Sequence, residues 1–427
     1  MQGKALPGFR DFYPEELALR NHIFATWRAV AQRYGFEEYD GPPLEPLELY
    51  TQKSGDEIVG QLYEFTDKGD RRVALRPEMT PTLARMVGAR AQALKKPIRW
   101  FSMPQLFRYE RQQRGRLREH FQLNLDIIGE AGALADAELM AAGLDIMRAL
   151  GFGPKEVRVR VSDRRVLRAL LLGHGVVEAQ LPTAFGAIDR SERVPREALA
   201  EGLAKAGVAS GAIDAVFAIA ALRGLPAVQS ALAKVPGGAD AGAPLAEAHG
   251  ALEAMGLGAF VDVDLSIVRG LAYYTGIVFE LFDAARSLRA ICGGGRYDGL
   301  LKALGGVDLP ALGFGMGDVV LGELLRDAGR LPATTQHLDA FLVAVSGEDI
   351  PVVLRLAHEL RDRGLRIEYG LKHRPVRHQL ELAAARGARR AVIVGPDERR
   401  ERVAVIRDLS GGGERRVPVD ALAKELV

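Results

Sequence analysis

The chain has 427 residues, 48% of them apolar and 26% charged, with a formal net charge of +2. At ~100 to 200 residues per domain this predicts two or three globular domains and excludes disordered and fibrous classes. So small a charge does not announce a nucleic-acid partner, although it permits one that meets a local basic patch. The opening MQGKALPGFRDFYPEEL lacks the apolar core of a secretory signal, and no stretch reaches the ~18 uninterrupted apolar residues of a membrane span, so the expected location is cytoplasmic, with no membrane association. A single cysteine, Cys292, rules out an intrachain disulfide and a zinc site built from several thiolates. It reads as a small packed side chain, and no protein-held metal is expected.

In chain order, residues 1 to about 165 mix helical and strand patterns. Early in this stretch, RPEMT (Arg76 to Thr80) closes a strand-like VAL and sets a carboxylate and a hydroxyl beside a rigid turn. The most informative segment is FRYERQQRGRLREHFQLNLDIIGE, Phe107 to Glu130, which reads as strand, basic loop, strand. Along the second strand His120, Gln122, Asn124 and Asp126 share one face and Phe121, Leu123, Leu125 and Ile127 the other. On the first, Arg108 and Glu110 oppose Phe107 and Tyr109. One surface thus gathers a cation, carboxylates and amides, which suits a binding floor or an ordinary solvated face.

Residues 170 to about 255 turn Ala-, Gly- and Leu-rich and read as a helical insertion. Strand patterns resume at Phe260. In VRGLAYYTGIVFE (Val268 to Glu280) Arg269 stands beside a glycine, and two tyrosines precede a strand; CGGGRYDGLL from Cys292 lets backbone approach a ligand without Cβ clashes. The lysine of a P-loop and the GxGxxG of a Rossmann unit are both missing. After the polar segment LPATTQH, ending at His337, the remainder alternates strands and helices as a compact α/β module. The expected domains are 1–330, including the insertion 170–255, and 338–427.

Taken together these motifs resemble the histidyl members of the class II aminoacyl-tRNA synthetases, from PGFRDFYP at Pro7 to the C-terminal end. FRYE with its basic loop and HFQLNLDIIG is similar to class II motif 2, and YGFEEYDGPPLE to the dimer-forming motif 1. RPEMT, VRGLAYYTG and GGGRYDGL resemble the segments that build a histidine pocket. The resemblance implies an α+β fold: an antiparallel-sheet class II catalytic domain with a helical insertion, followed by a C-terminal α/β anticodon-binding domain. It implies a homodimer that activates L-histidine with ATP, accompanied by Mg2+, and transfers it to tRNA(His). Arg108 and Arg269 would be catalytic, contacting the α-phosphate. Arg269 would also bridge the substrate carboxylate, and Glu110 would orient the adenine side. Glu78, Thr80 and Gln122 would hold the histidine ammonium, and Asp126 with Tyr273 or Tyr274 the imidazole, with Tyr297 lining the same pocket. Gln113 and Arg116 in the basic loop would meet the tRNA acceptor end, and HRPVRH (His373 to His378) the anticodon arm.

Three departures stand out, one of them that Asp126 is shorter than the glutamate some members of the family use. Where motif 3 would place an arginine for the γ-phosphate, GFGMGDVVLGELL has Val320; Asp318 there is expected to cap the following helix, and Arg326 lies on another face. Ala272 fills a position where many members of the family have aspartate. These gaps keep open a second reading, the histidine-sensing regulatory subunit of ATP phosphoribosyltransferase, although that paralogue generally lacks a C-terminal module. A third, a class II ligase for another amino acid, fits Asp126 and the paired tyrosines less well.

Overall fold

A computed structural model describes residues 3–51, 59–111, 113–269, 273–332 and 338–426. The chain divides into two compact units, Met1–Pro332 and Ala333–Val427.

Seventeen strands are named in chain order: β1 (Glu37–Glu38), β2 (Leu44–Pro46), β3 (Tyr63–Thr66), β4 (Arg72–Leu75), β5 (Ile98–Ser102), β6 (Gln105–Phe107), β7 (Glu119–Ile128), β8 (Val157–Asp163), β9 (Val261–Val263), β10 (Ile277–Asp283), β11 (Cys292–Arg296), β12 (Ala311–Gly317), β13 (Ala340–Ala344), β14 (Ile367–Tyr369), β15 (Arg390–Val394), β16 (Val403–Asp408) and β17 (Glu414–Pro418). The first unit is built on a sheet of order β1-β5-β7-β12-β11-β10-β8-β9, with β6 pairing one end of β7. From β5 to β8 every neighbour is antiparallel; the outermost pairs, β1 with β5 and β8 with β9, are parallel. A small sheet, β2-β4-β3, carries the RPEMT turn at the end of β4.

Strict alternation in β7 gives the sheet its two faces. Leu123, Leu125 and Ile127 enter the main core with Phe314 and Met316 of β12 and Phe279 and Leu281 of β10. Two helices cover that face. Pro14–Arg33 starts with proline and two glutamates and ends in arginine, an order that suits the helix dipole, and it buries Leu19, Ile23, Trp27 and Val30 as one stripe. Its Trp27 indole donates to the Met316 sulfur at 3.2 Å. The second, Ala133–Ala149, is buried along most of its length. On the opposite face a smaller cluster joins Leu83, Ala84 and Val87 of the helix Thr80–Arg90 to Ile128, Val278, Tyr274 and Tyr297 and leaves the middle of the sheet open.

The Ala- and Leu-rich stretch is helical, running through Arg164–Gly173, Leu181–Arg190, Arg196–Lys205, Ser210–Ala220, Leu225–Leu232 and Gly238–Ala254. In the second unit the sheet order is β14-β13-β15-β16-β17, parallel through the first three strands and antiparallel thereafter, with its own apolar core. The last strand, ERRVP, is too charged to read as a strand from the sequence. It holds its place through backbone pairing with β16. His373 to His378 is mostly exposed.

One buried ion pair ties sheet to helix. Arg296, at the end of β11, reaches Asp136 at 2.5 Å and donates to the carbonyls of Glu130 and Gly132 just before the helix Ala133–Ala149; both charged side chains are only 2% exposed. Removing one partner strands a buried charge, at a cost of about 3–5 kcal/mol. Arg296→Ala is therefore expected to lower the urea midpoint of unfolding by that much stability, and an unchanged midpoint would contradict the assignment.

Candidate functional site

The open middle of the sheet holds two adjoining cavities. One, of about 300 Å³, is lined by Arg108, Glu110, Arg116, His120, Gln122, Arg269, Glu280, Arg289 and Val320, among others. The other, of about 260 Å³, is lined by Glu78, Thr80, Gln122, Asn124, Asp126, Tyr273, Tyr274 and Tyr297. Arg108, Glu110, Arg116, Gln122 and Arg269 border both, so the two arginines expected to be catalytic stand at the junction.

The floor is shaped by glycines. Pairing sets Glu280, Gly293, Gly315 and Asn124 in one cross-strand row and Val278, Gly295, Gly313 and Asp126 in the next. A Cβ on Gly293 would overlap the Arg269 guanidinium, one on Gly313 the Asp126 carboxylate, and one on Gly315 the Gln122 amide. The glycine run thus admits the protein's own polar side chains, which lie flat across β11 and β12. The signal was present as period-two spacing in GFGMG, where Phe314 and Met316 alternate into the core.

Arg269 adopts φ +59°, a left-handed conformation that costs a non-glycine residue of order 1–3 kcal/mol and persists only where its surroundings enforce it. They do. Arg164 donates to its carbonyl at 2.7 Å, and its own Nη1 donates to Glu280 at 3.0 Å. Burial raises the Glu280 carboxyl pKa, opposed by Arg269. Glu280 escaped the sequence reading, although a lone glutamate within IVFELFD is the kind of interruption that marks a functional strand position. Arg108 donates from Nε to the Pro77 carbonyl at 2.9 Å, locking the RPEMT turn beside the floor. His120 lines the first cavity, and burial, with the charges of Arg108 and Arg10, pushes its pKa down to about 3, so it stays neutral.

In the second cavity Asp126 is buried and accepts a hydrogen bond from the Tyr297 hydroxyl. Burial pushes its pKa up to about 7, opposed by that bond. Gln122 donates to the Asn124 side chain at 2.9 Å, and Asn124 returns a bond to the Gln122 carbonyl. The rings of Tyr273 and Tyr274 lie 5.1 Å apart, with Tyr297 edge-on to Tyr273. Glu78 is buried, and Thr80 opens its helix.

Several expectations need revision. Arg116 does not project from the basic loop: it pairs with Glu110 and turns into both cavities. Gln113, by contrast, is exposed on a tight turn closed by backbone bonds with Arg116. Asp318 makes no cap; it accepts from the Phe121 backbone N–H at 2.9 Å and pairs with Arg10 at 2.9 Å, because β7 lies alongside the helix start. Arg326 bonds Glu323 outside both cavities, and Val320 is buried against the first. Ala272 lies outside the described residues, as does the end of LPATTQH. Among the described residues no cluster of three or more His, Cys, Asp or Glu could hold a metal ion.

A family model described as histidyl-tRNA synthetase matches residues 8–317, and one described as anticodon binding domain matches 339–427. The chain belongs to the histidyl-tRNA synthetase family. A histidine–tRNA ligase of Opitutus terrae is 46% identical over 97% of this chain and 96% of its own length. The chloroplastic/mitochondrial enzyme of Arabidopsis thaliana is 40% identical over 97% of this chain and 85% of its own. Among solved structures, the histidyl-tRNA synthetase of a Nostoc species superposes with a TM-score of 0.84 at 26% identity, covering 100% of this chain and 99% of its own. The fold is accordingly that of the family: an α+β catalytic part and an anticodon-binding domain.

The geometry separates chemistry from stability at Gly293. An added methyl there meets the flexible end of Arg269, so the side chain must move while the backbone need not. Gly293→Ala is expected to leave the melting temperature within a few degrees of the unaltered chain yet slow adenylate formation by ~10²-fold, as when one preorganised donor is lost. Full activity in that variant would show that the guanidinium need not lie where it does.

Proposed function

We infer that the chain is a histidine–tRNA ligase, and that the two cavities are its histidine and ATP sites. The observation that carries this is the placement of Arg108 and Arg269 at their junction, with a pocket lined by Asp126, Glu78 and three tyrosines on one side. Histidine enters the second cavity with its ammonium toward Glu78, Thr80 and Gln122 and its ring between Asp126 and the tyrosines, Tyr273 or Tyr274 serving the second ring nitrogen. ATP occupies the first. A histidine carboxylate oxygen attacks the α-phosphorus, the bond to the bridging oxygen breaks, and pyrophosphate leaves with the electron pair. The mixed anhydride remains. Arg108 and Arg269 hold the developing charge in fixed positions, which is where most of the catalysis in phosphoryl-type transfer resides.

Magnesium accompanies the nucleotide. A magnesium ion is usually held by one or two carboxylates together with substrate phosphates, and the acidic groups lining the first cavity, Glu110 and Glu280, would hold it only while shared with Arg116 and Arg269. Its role there would be to neutralise phosphate charge. Glu110, paired with Arg116, closes the basic loop over the adenine side. In the second step the terminal ribose hydroxyl of tRNA(His) attacks the activated carbonyl and AMP departs, with Gln113 placed on the exposed turn to meet the end of the acceptor stem. Arg116, drawn inward to Glu110, would act on tRNA through the position of that loop and not by direct contact. We assign residues 1–330 to catalysis, with 170–255 as insertion, and 338–427 to the anticodon arm, in a cytoplasmic homodimer. No described helix is long and apolar enough to cross a membrane.

The regulatory-subunit reading is weaker. The solved structure of an ATP phosphoribosyltransferase regulatory subunit/histidyl-tRNA synthetase from Bacillus halodurans shares the fold at 22% identity and no more. The match to an anticodon-binding domain and the 46% identical ligase favour charging of tRNA.

Histidine-dependent exchange of labelled pyrophosphate into ATP, followed by charging of purified tRNA(His), tests the reading directly. Arg269→Ala is expected to reduce exchange by at least ~10²-fold with the fold intact; exchange near the starting rate would refute the role of Arg269. A second test uses pH. In the free protein Asp126 ionises near pH 7, and its one oxygen not already serving Tyr297 must accept the imidazole N–H. Protonation below that pH places a donor against a donor. The kcat/KM for histidine is therefore expected to fall as pH drops through about 7, and Asp126→Asn should abolish the enzyme's part of that limb. An identical profile in the variant would assign the limb to the substrate's own imidazole, which titrates near ~6.5.

A further inference from the structure

We propose that Arg289, on the connection between β10 and β11, contacts the β- and γ-phosphates of ATP and supplies the cation that the helix Asp318–Asp327 lacks at Val320. This rests on the assignment of the first cavity to ATP. Of the four arginines lining that cavity, three are committed: Arg108 to the Pro77 carbonyl, Arg116 to Glu110 and Arg269 to Glu280. Arg289 is exposed and makes no ion pair or hydrogen bond among the described residues. Val320, at the position of the missing arginine, lines the same cavity.

Its connection has a defined shape. Asp283 accepts from the backbone N–H and hydroxyl of Ser287 at 2.8 and 2.9 Å and from the Leu288 N–H at 3.1 Å. Leu288 packs on the main core, and the Ile291 N–H returns to the Leu281 carbonyl at 2.8 Å. Arg286 on the same turn is drawn away to Glu192, whereas Arg289, between two anchored residues, remains on the cavity wall. A triphosphate carries roughly four negative charges, and its leaving pyrophosphate gains charge as the bond to the α-phosphorus breaks. Arg108 and Arg269 at the junction serve the α-phosphate, so the outer phosphates need a further cation. A guanidinium fork is matched to them.

The test compares ATP, supplied with magnesium, against AMP, which lacks the outer phosphates, by calorimetry on the full chain without histidine. In parallel, ATP and histidine KM values are read from pyrophosphate exchange. Arg289→Ala is expected to weaken ATP by about 10-fold or more, the usual effect of removing a charge-assisted contact, while AMP stays within about twofold and the KM for histidine is unmoved. Arg289→Lys should recover part of the loss, and Arg326→Ala should change neither nucleotide. ATP affinity within about twofold in Arg289→Ala would overturn the proposal, as would AMP falling in parallel or an equal loss in Arg326→Ala. Absence of histidine-dependent exchange in the unaltered chain would sink the ligase reading instead, leaving the ATP and AMP comparison to judge Arg289. Failure of the unaltered chain to bind either nucleotide would overturn both.

Discussion

Two neighbouring strands in the centre of the sheet give up their side chains on one face, and the site exists because they do. With Gly293 and Gly295 on β11 facing Gly315 and Gly313 on β12, a shallow trough runs between Glu280 on one side and Asn124 and Asp126 on the other. Long polar side chains need such a trough. A pleated sheet with ordinary residues at these positions would stand them upright and fill the volume now left for ligand. Here Arg269, Gln122 and Asp126 occupy the space that Cβ atoms would take. Weak β-propensity at consecutive glycines is the cost, and the dense core on the opposite face, where Phe314 and Met316 interdigitate with the helices, offsets it.

A floor of buried polar groups is stable only if those groups are satisfied in the absence of ligand. Much of the second cavity meets that requirement internally: Tyr297 serves Asp126, and the amides of Gln122 and Asn124 serve each other and the backbone. Tyr297 is itself held by its backbone N–H to the Ala311 carbonyl, and the adjacent Arg296 reaches Asp136 of the helix Ala133–Ala149. One exception sits at the junction, where the Arg269 Nε is buried without a hydrogen-bond partner. A buried donor left without a partner beside a cavity is the kind of exception that a bound ligand can complete.

How much of this was legible in the sequence depended on the range of each interaction. The polar face of β7 and the RPEMT turn could be read because period-two alternation and turn chemistry are local. So could the helical insertion and most strands of the second unit. Partners far apart in the chain could not. Asp318 reads as a helix cap from its neighbours alone, yet its partner Arg10 is 308 residues away and β7 supplies the N–H it accepts from. Arg116 reads as one solvent-facing arginine among several, and only the fold reveals that the buried Glu110 draws it inward. The strand ERRVP was hidden for the opposite reason: its charged residues face solvent at a sheet edge, where register is set by the strand beside it.

The helix that follows β8 contributes to the placement of Arg269 as well as to the core. This helix, Arg164–Gly173, starts where β8 ends and leads into the helical insertion, and Arg164 sends its guanidinium to the carbonyls of Val268, Arg269 and Tyr274. One planar fork thus holds the backbone of the left-handed Arg269 together with that of Val268 before it and of Tyr274 further along the chain. Backbone strain of order 1–3 kcal/mol at a single residue needs such an over-determined frame. The frame in turn depends on the packing of the inserted helices, whose Leu203, Val216, Leu245 and Leu252 are continuous with the main core of the sheet. Loosening that packing would therefore be felt first at Arg269, through Arg164, before the sheet itself lost order.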